Sequence, residues 1–110
     1  MEITFRDKKL RIMANDDRKA LLKLGKVRSE KYKNRLTQLR TAQTLEEVRY
    51  LPGNYHELVG NRKGQWACDL DQPYRLIFEP HDVPIPADDE GKYIWIEIKG
   101  IEIIEIIDYH

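Results

Sequence analysis

The spacing of apolar residues changes once along this 110-residue chain, close to Leu51-Pro52-Gly53. Before that point they recur at helical intervals: Leu10 and Met13, Leu21 and Leu24, then Tyr32, Leu36 and Leu39. No proline interrupts residues 7–43. After it they alternate, as in strands whose two faces meet different surroundings. A segment with a period near 3.6 cannot sit as a strand, nor one with a period of two as a helix. The pattern therefore predicts a helical first half and an antiparallel meander in the second.

Local signals divide these halves further. Residues 2–6 alternate, with Ile3 and Phe5 against Glu2, Thr4 and Arg6, and predict a short strand. Residues 7–43 are too long for one helix in so small a chain. Asn15-Asp16-Asp17 supplies capping chemistry that restarts it and Gly25 a second break, so two or three pieces are expected. Thr44 and Glu47 form a capping-box pattern for a helical turn reaching about Arg49. Strands are expected over 55–59, 65–71 and 74–79, separated by the glycine-bounded turn 60–64 and by Gln72-Pro73. In the second, Trp66, Cys68 and Leu70 share a face; in the third, Tyr74, Leu76 and Phe78 oppose Arg75, Ile77 and Glu79. Residues 80–93 read as an exposed acidic loop. The Ile-rich stretch 94–107 reads as a strand, with a bend or bulge at Gly100 or between Ile103 and Ile104.

Length and composition bound the rest. At 41% hydrophobic and 35% charged residues, the chain is expected to fold as one domain over 1–110. No apolar run approaches the roughly 18 to 20 residues of a membrane span, and no secretory pattern opens the sequence, so a cytoplasmic location is expected. Cys68 is alone and the three His are scattered, a set that offers neither a disulfide nor a metal-ligand spacing. The formal net charge of zero conceals a polarity. Residues 1–50 carry 14 Lys and Arg against 7 Asp and Glu, and residues 51–110 carry 5 against 12, so the halves stand at +7 and −7. Like charges recur at i, i+4 in Lys19/Lys23 and Lys31/Arg35, which costs an isolated helix about 0.2 to 0.5 kcal/mol per pair. Two readings stand: a basic helix face for a polyanionic or acidic partner, or a solvated face balanced by an acidic sheet.

The candidate chemical groups are dispersed: His56, Arg62 and Lys63 on a turn, Arg75 in the third strand, and the closing Asp108-Tyr109-His110. Imidazoles, a phenol, a carboxylate and guanidinium groups suit RNA cleavage without a metal. Such cleavage needs a base for the ribose 2′-OH, cations for the pentacoordinate phosphate and an acid for the leaving 5′-oxygen. Taken alone, the same groups also fit an ordinary polar surface.

In sequence order, residues 51–66 (Leu-Pro-Gly-Asn-Tyr-His-Glu-Leu-Val-Gly-Asn-Arg-Lys-Gly-Gln-Trp), then Tyr74-Arg75-Leu76-Ile77-Phe78, then Asp108-Tyr109-His110 resemble the HigB branch of the RelE/ParE toxin superfamily over nearly the whole chain. The resemblance implies an α+β fold of RelE type, an N-terminal helical layer on a mostly antiparallel sheet of about four to five strands. It implies a toxin of a type II toxin–antitoxin system, a ribosome-dependent mRNA endoribonuclease needing no metal or cofactor. Its expected partners are a HigA-like helix-turn-helix antitoxin and the bacterial ribosome with its mRNA, with operator DNA reached only through the antitoxin and no membrane contact. His56, Asp108 and His110 match the family's acid–base group, Tyr109 its active-site tyrosine and Arg75 its transition-state cation. Arg62 or Lys63 matches the basic turn contact, and Lys31 and Arg35 are expected to contribute to RNA or ribosome binding. Which His is base and which acid stays open. The chain departs from the family in its neutral charge, in its longer and more acidic 80–93 loop, and in Asp71, where relatives can carry Asn. The alternatives are a ParE-like inhibitor of DNA gyrase and a non-catalytic interaction domain on the same fold.

Overall fold

Two aspartates set where the helices begin. In the computed structural model, which describes residues 1–108, the Asp7 carboxylate accepts a hydrogen bond from the Leu10 amide at 2.8 Å and opens α1 (Lys8–Asn15). Asp16, itself extended, accepts from the Lys19 amide at 3.1 Å and starts α2 (Asp17–Thr41). Gly25 then breaks α2 at φ 80°, ψ 171°. The Lys33 ammonium meets the Asp17 carboxylate at 2.6 Å although the two are 16 residues apart. A straight helix would hold them about 24 Å apart, so the limbs 17–24 and 26–41 double back at Gly25. The helical half thus has three pieces, with both breaks at the expected residues.

Limb 26–41 buries Tyr32, Leu36 and Leu39, and the Tyr32 hydroxyl donates to the Leu10 carbonyl at 2.9 Å, tying α1 alongside. Of the apolar pair Leu21 and Leu24, Leu24 packs against this core and Leu21 is 48% exposed. The short α3 (Leu45–Val48) is held by the full burial of Leu45 and Val48. Its capping box is incomplete: the Thr44 side chain makes no capping bond, and Glu47 accepts from the Gln43 amide at 2.9 Å, one residue beyond the expected position.

The sheet has five strands in the order β1-β5-β4-β3-β2: β1 (Glu2–Phe5), β2 (His56–Glu57), β3 (Trp66–Asp69), β4 (Tyr74–Pro80) and β5 (Gly100–Asp108). All pairs are antiparallel except β1 with β5. Trp66, Cys68, Leu76, Phe78, Ile101 and Ile103 pack toward the helices in the main core. A smaller cluster of Leu58, Ala67, Ile77 and Ile104, with Ile107 against it, lies on the outer face, where no helix among the described residues packs.

Two strand expectations are corrected. The 55–59 strand shrinks to His56–Glu57, because Tyr55 turns into the core, where its hydroxyl donates to Gln38 Oε1 at 2.8 Å, and a 3-10 turn begins at Gly60. The 94–107 strand begins only at Gly100. Trp95 packs edge-on against Trp66 at 5.4 Å and donates to Glu57 at 2.9 Å, while the Ile98 carbonyl is taken by the Leu45 amide at 2.9 Å. Those bonds hold 95–97 in a 3-10 turn. The phase slip is real: Ile77 faces Glu105 and Phe78 faces Ile103, leaving Ile104 as the bulged residue. The slip sends Ile104 and Ile107 to the outer face while Ile101, Ile103 and Ile106 face the helices. No helix among the described residues is long and apolar enough to cross a membrane.

Candidate functional site

Pairing register decides which side chains share a face, because the pleat alternates. One row across the sheet runs His56, Ala67, Ile77, Glu105; the next runs Asp69, Arg75, Ile107. His56 and Arg75 therefore stand together on the outer face. Two strand spacings and two residues of offset put their Cα atoms roughly 12 Å apart, over the apolar floor of Ala67 and Ile77.

The turn before β2 orients His56. Gly53, at φ 125°, lies so close to the Arg35 guanidinium that an added Cβ would come within 2.7 Å of its Cζ. Asn54 follows at φ 56° and directs its carbonyl to His56 Nδ1 at 2.7 Å. A carbonyl only accepts, so in the neutral ring Nδ1 carries the hydrogen and the lone pair is left on Nε2.

The cations of this face are held by carboxylates. Arg75 Nε lies 3.5 Å from Asp69 Oδ1. Arg62 donates to Gln65 at 2.9 Å and to Glu105 at 2.7 Å, so the 60–62 turn is strapped over the floor. Arg6 reaches Glu79 at 2.7 Å and Glu102 at 3.5 Å. Three guanidinium groups thus meet four carboxylates. Asp69 and Glu105 were missed in the sequence. Asp69 becomes Arg75's partner through the register across the 70–73 turn, and Glu105 reaches this face only after the Ile104 bulge.

The other expected residues separate. Lys63 extends its ammonium over the Tyr93 ring at 5.6 Å. Lys31 is exposed on α2, on the helical side of the sheet. Arg35, expected to join Lys31 in an RNA contact, turns inward and donates to the carbonyls of Asp69 at 2.7 Å and Pro52 at 3.3 Å, so the fold itself occupies its donors. Asp71 likewise receives both bonds of a bidentate pair from Arg28, at 2.9 and 3.1 Å, and that guanidinium lies 3.3 Å above the Tyr74 ring. Asp108 is exposed and pairs in register with Tyr74, which puts it on the pleat opposite to that of Arg75. Tyr109 and His110 lie outside the described residues.

Beneath the sheet, burial pushes the Cys68 thiol up to about 12, which removes it as a nucleophile. Burial also raises the Tyr55 hydroxyl, Cys68's neighbour. Among the described residues no group of three or more His, Cys, Asp or Glu comes together to hold a metal ion.

No family profile matches the sequence, and no curated protein does. Solved structures do match in shape. Over 100% of this chain and 97% of its own length, the YoeB–YefM complex of Staphylococcus aureus aligns with a TM-score of 0.57 at 19% identity. A YoeB/ParE toxin from Agrobacterium tumefaciens aligns over 100% of both chains with a TM-score of 0.55 at 12% identity. With its helices packed on a five-stranded mixed sheet, the chain has the fold of the YoeB/ParE toxins, and that is the α+β class expected from its sequence.

Proposed function

We propose that the chain is the toxin of a type II toxin–antitoxin pair and acts as a metal-free, ribosome-dependent mRNA endoribonuclease of the HigB kind. The observation that carries this reading is the shared outer face of His56 and Arg75, with the imidazole Nε2 lone pair left available by the Asn54 contact. In this scheme a base takes the proton of the ribose 2′-OH, and the 2′-oxygen attacks the adjacent phosphorus. Arg75 and Arg62 hold the charge that develops on the phosphate, exchanging carboxylate for phosphate oxygens, and an acid protonates the departing 5′-oxygen. The bond that breaks is P–O5′, so the products are a 2′,3′-cyclic phosphate and a 5′-hydroxyl. His56 and His110 share the acid and base roles, Tyr109 completes the group, and Lys31 and Lys63 add contacts to RNA or ribosome; Asp108, on the opposite pleat, is left out of the group. The partner is a HigA-like antitoxin.

The test maps mRNA 5′ ends after the purified chain is added to translating bacterial ribosomes. Codon-positioned cuts bearing cyclic-phosphate upstream ends are expected. Arg75→Ala and His56→Ala should each lower the cleavage rate by about 10²-fold or more with circular dichroism unchanged. Absence of cuts, joined to inhibition of DNA gyrase supercoiling by the same preparation, would replace this reading with the gyrase alternative.

A further inference from the structure

Arg35 reaches from limb 26–41, half-buried, to the place where the 52–54 turn meets the end of β3. Among the described residues its hydrogen bonds go to the Asp69 carbonyl at 2.7 Å, the Pro52 carbonyl at 3.3 Å and Gln38 Oε1 at 3.3 Å. A charge drawn partly out of water and given to uncharged acceptors adds geometry: the guanidinium is a planar fork that fixes two carbonyls at once. Those carbonyls belong to the segments that carry His56 and the carboxylate beside Arg75. On the first side, Gln38 also donates to the Pro52 carbonyl, the Gly53 carbonyl takes the Asp69 amide at 2.8 Å, and the Tyr55 hydroxyl is tied to Gln38. With residues 52, 53 and 55 pinned, Asn54 at φ 56° aims its own carbonyl at His56 Nδ1. A surface contact between residues two apart competes with water, so it holds the ring only where the backbone is already set. On the second side, Gly53 and Arg35 bind the amide and carbonyl of Asp69, whose carboxylate stands 3.5 Å from Arg75 Nε, with both of those atoms shielded from solvent.

We infer that Arg35 is a positioning residue for the outer-face site. From the helical side it locks the 52–54 turn to the end of β3, which keeps the His56 imidazole with its Nε2 lone pair outward and holds Asp69, and through it Arg75, at a fixed separation from that ring. It touches no substrate. Gly53 is its complement, since a Cβ there would stand 2.7 Å from Arg35 Cζ, in the space the guanidinium uses. As a statement about cleavage the inference rests on the proposed nuclease reading; as a statement about the His56 ring it stands without it.

The first measurement is ¹⁵N NMR of the imidazoles in the free, full chain at about pH 8.5, where an ordinary imidazole is neutral, with the His56 signal identified by its loss in His56→Ala. The parent should carry its hydrogen on Nδ1, and Arg35→Ala should move it largely to Nε2, as in a solvated histidine. The second measurement is cleavage on ribosomes, where Arg35→Ala should lower the rate at saturating ribosomes at least about tenfold and leave the half-saturating concentration within about twofold. Arg35→Lys keeps the charge but not the fork, so it should show both changes in smaller measure, and it decides the matter if Arg35→Ala does not fold. Tyr32→Phe, which removes the bond to the Leu10 carbonyl far from the turn, should leave tautomer and rate as in the parent. The inference is overturned if the Arg35 variants keep the Nδ1 hydrogen, or if Tyr32→Phe shifts it equally, which would mean general loosening. It is overturned too if the tautomer moves with no change in rate, or if only the half-saturating concentration rises, which would make Arg35 a direct contact to RNA. A parent that cleaves nothing removes the nuclease reading and leaves the tautomer to decide the role of Arg35.

Discussion

Among the described residues Lys9, Lys19 and Lys23, on the helical side of the sheet, stand without carboxylate partners, whereas on the outer face Arg6, Arg62 and Arg75 each lie against at least one. The contrast shows what the +7 and −7 halves of the sequence become in space. Much of the basic excess stays on the helices, and the sheet face that carries His56 presents a nearly balanced set of charges. The two surfaces are separated by a core of about 10 Å, close to one Debye length at physiological salt, so the lysines do little for an anion approaching His56. An anion reaching Arg62 must displace Glu105, whereas among the described residues no carboxylate is paired with Lys19 or Lys23.

The largest test of this division removes the turn that builds the helical side. Gly25 sits at a φ, ψ pair open to glycine, with empty space around it, so Gly25→Val adds backbone strain and no clash. A loss of about 2 to 3 kcal/mol in urea denaturation is expected; an unchanged midpoint would show that the limbs need not double back. Next, Arg35→Ala should cost about 2 kcal/mol by removing the donor to the Asp69 carbonyl, the Pro52 carbonyl keeping its bond from Gln38, while Lys31→Ala stays within about 0.5 kcal/mol. Equal effects would erase the distinction between the guanidinium spent on the fold and the free lysine one turn away.

The layer between the two surfaces has its own signature. The Cys68 thiol is raised by burial from its ordinary value of 9.0 to about 12, so its contribution to stability is full below about pH 9 and fades as pH climbs toward 12. Each titrating group of this kind lowers stability by about 1.4 kcal/mol per pH unit in its window, and Cys68→Ala should flatten the alkaline fall in urea midpoint. The buried Tyr32 and Tyr55 hydroxyls, also raised, leave the remaining slope. The smallest effect sharpens the outer face: Glu105→Gln frees Arg62 from a half-exposed pair worth about 0 to 1 kcal/mol. It should raise affinity for a single-stranded oligoribonucleotide up to about fivefold, more at low salt than at high. Loss of affinity instead would mean that Glu105 orients Arg62 for the anion.

The helical half was legible because its determinants are local. Asp7, Asp16 and Gly25 act on backbone within a few residues, and both breaks fall on the residues that offered them. The strand expected from residue 94 failed because Ile94, Ile96 and Ile98 have the composition of a strand, while Trp66, Glu57 and Leu45, distant in sequence, claim the bonds and rings that shape 95–97. For the candidate site, residue types alone brought His56, Arg62 and Arg75 forward but also Arg35, whose donors were spent once Gly53 and the end of β3 closed around it.

From the sequence alone came the change of period, the helix starts and the chemical inventory, since these depend on neighbours along the chain. The tertiary structure decided which of those groups meet. Strand register and the bulge at Ile104 set His56, Arg75 and Glu105 on one face and Asp108 across from Tyr74. A shift of one residue in pairing reverses every side chain of a strand, and that shift is fixed by turns and contacts remote in sequence.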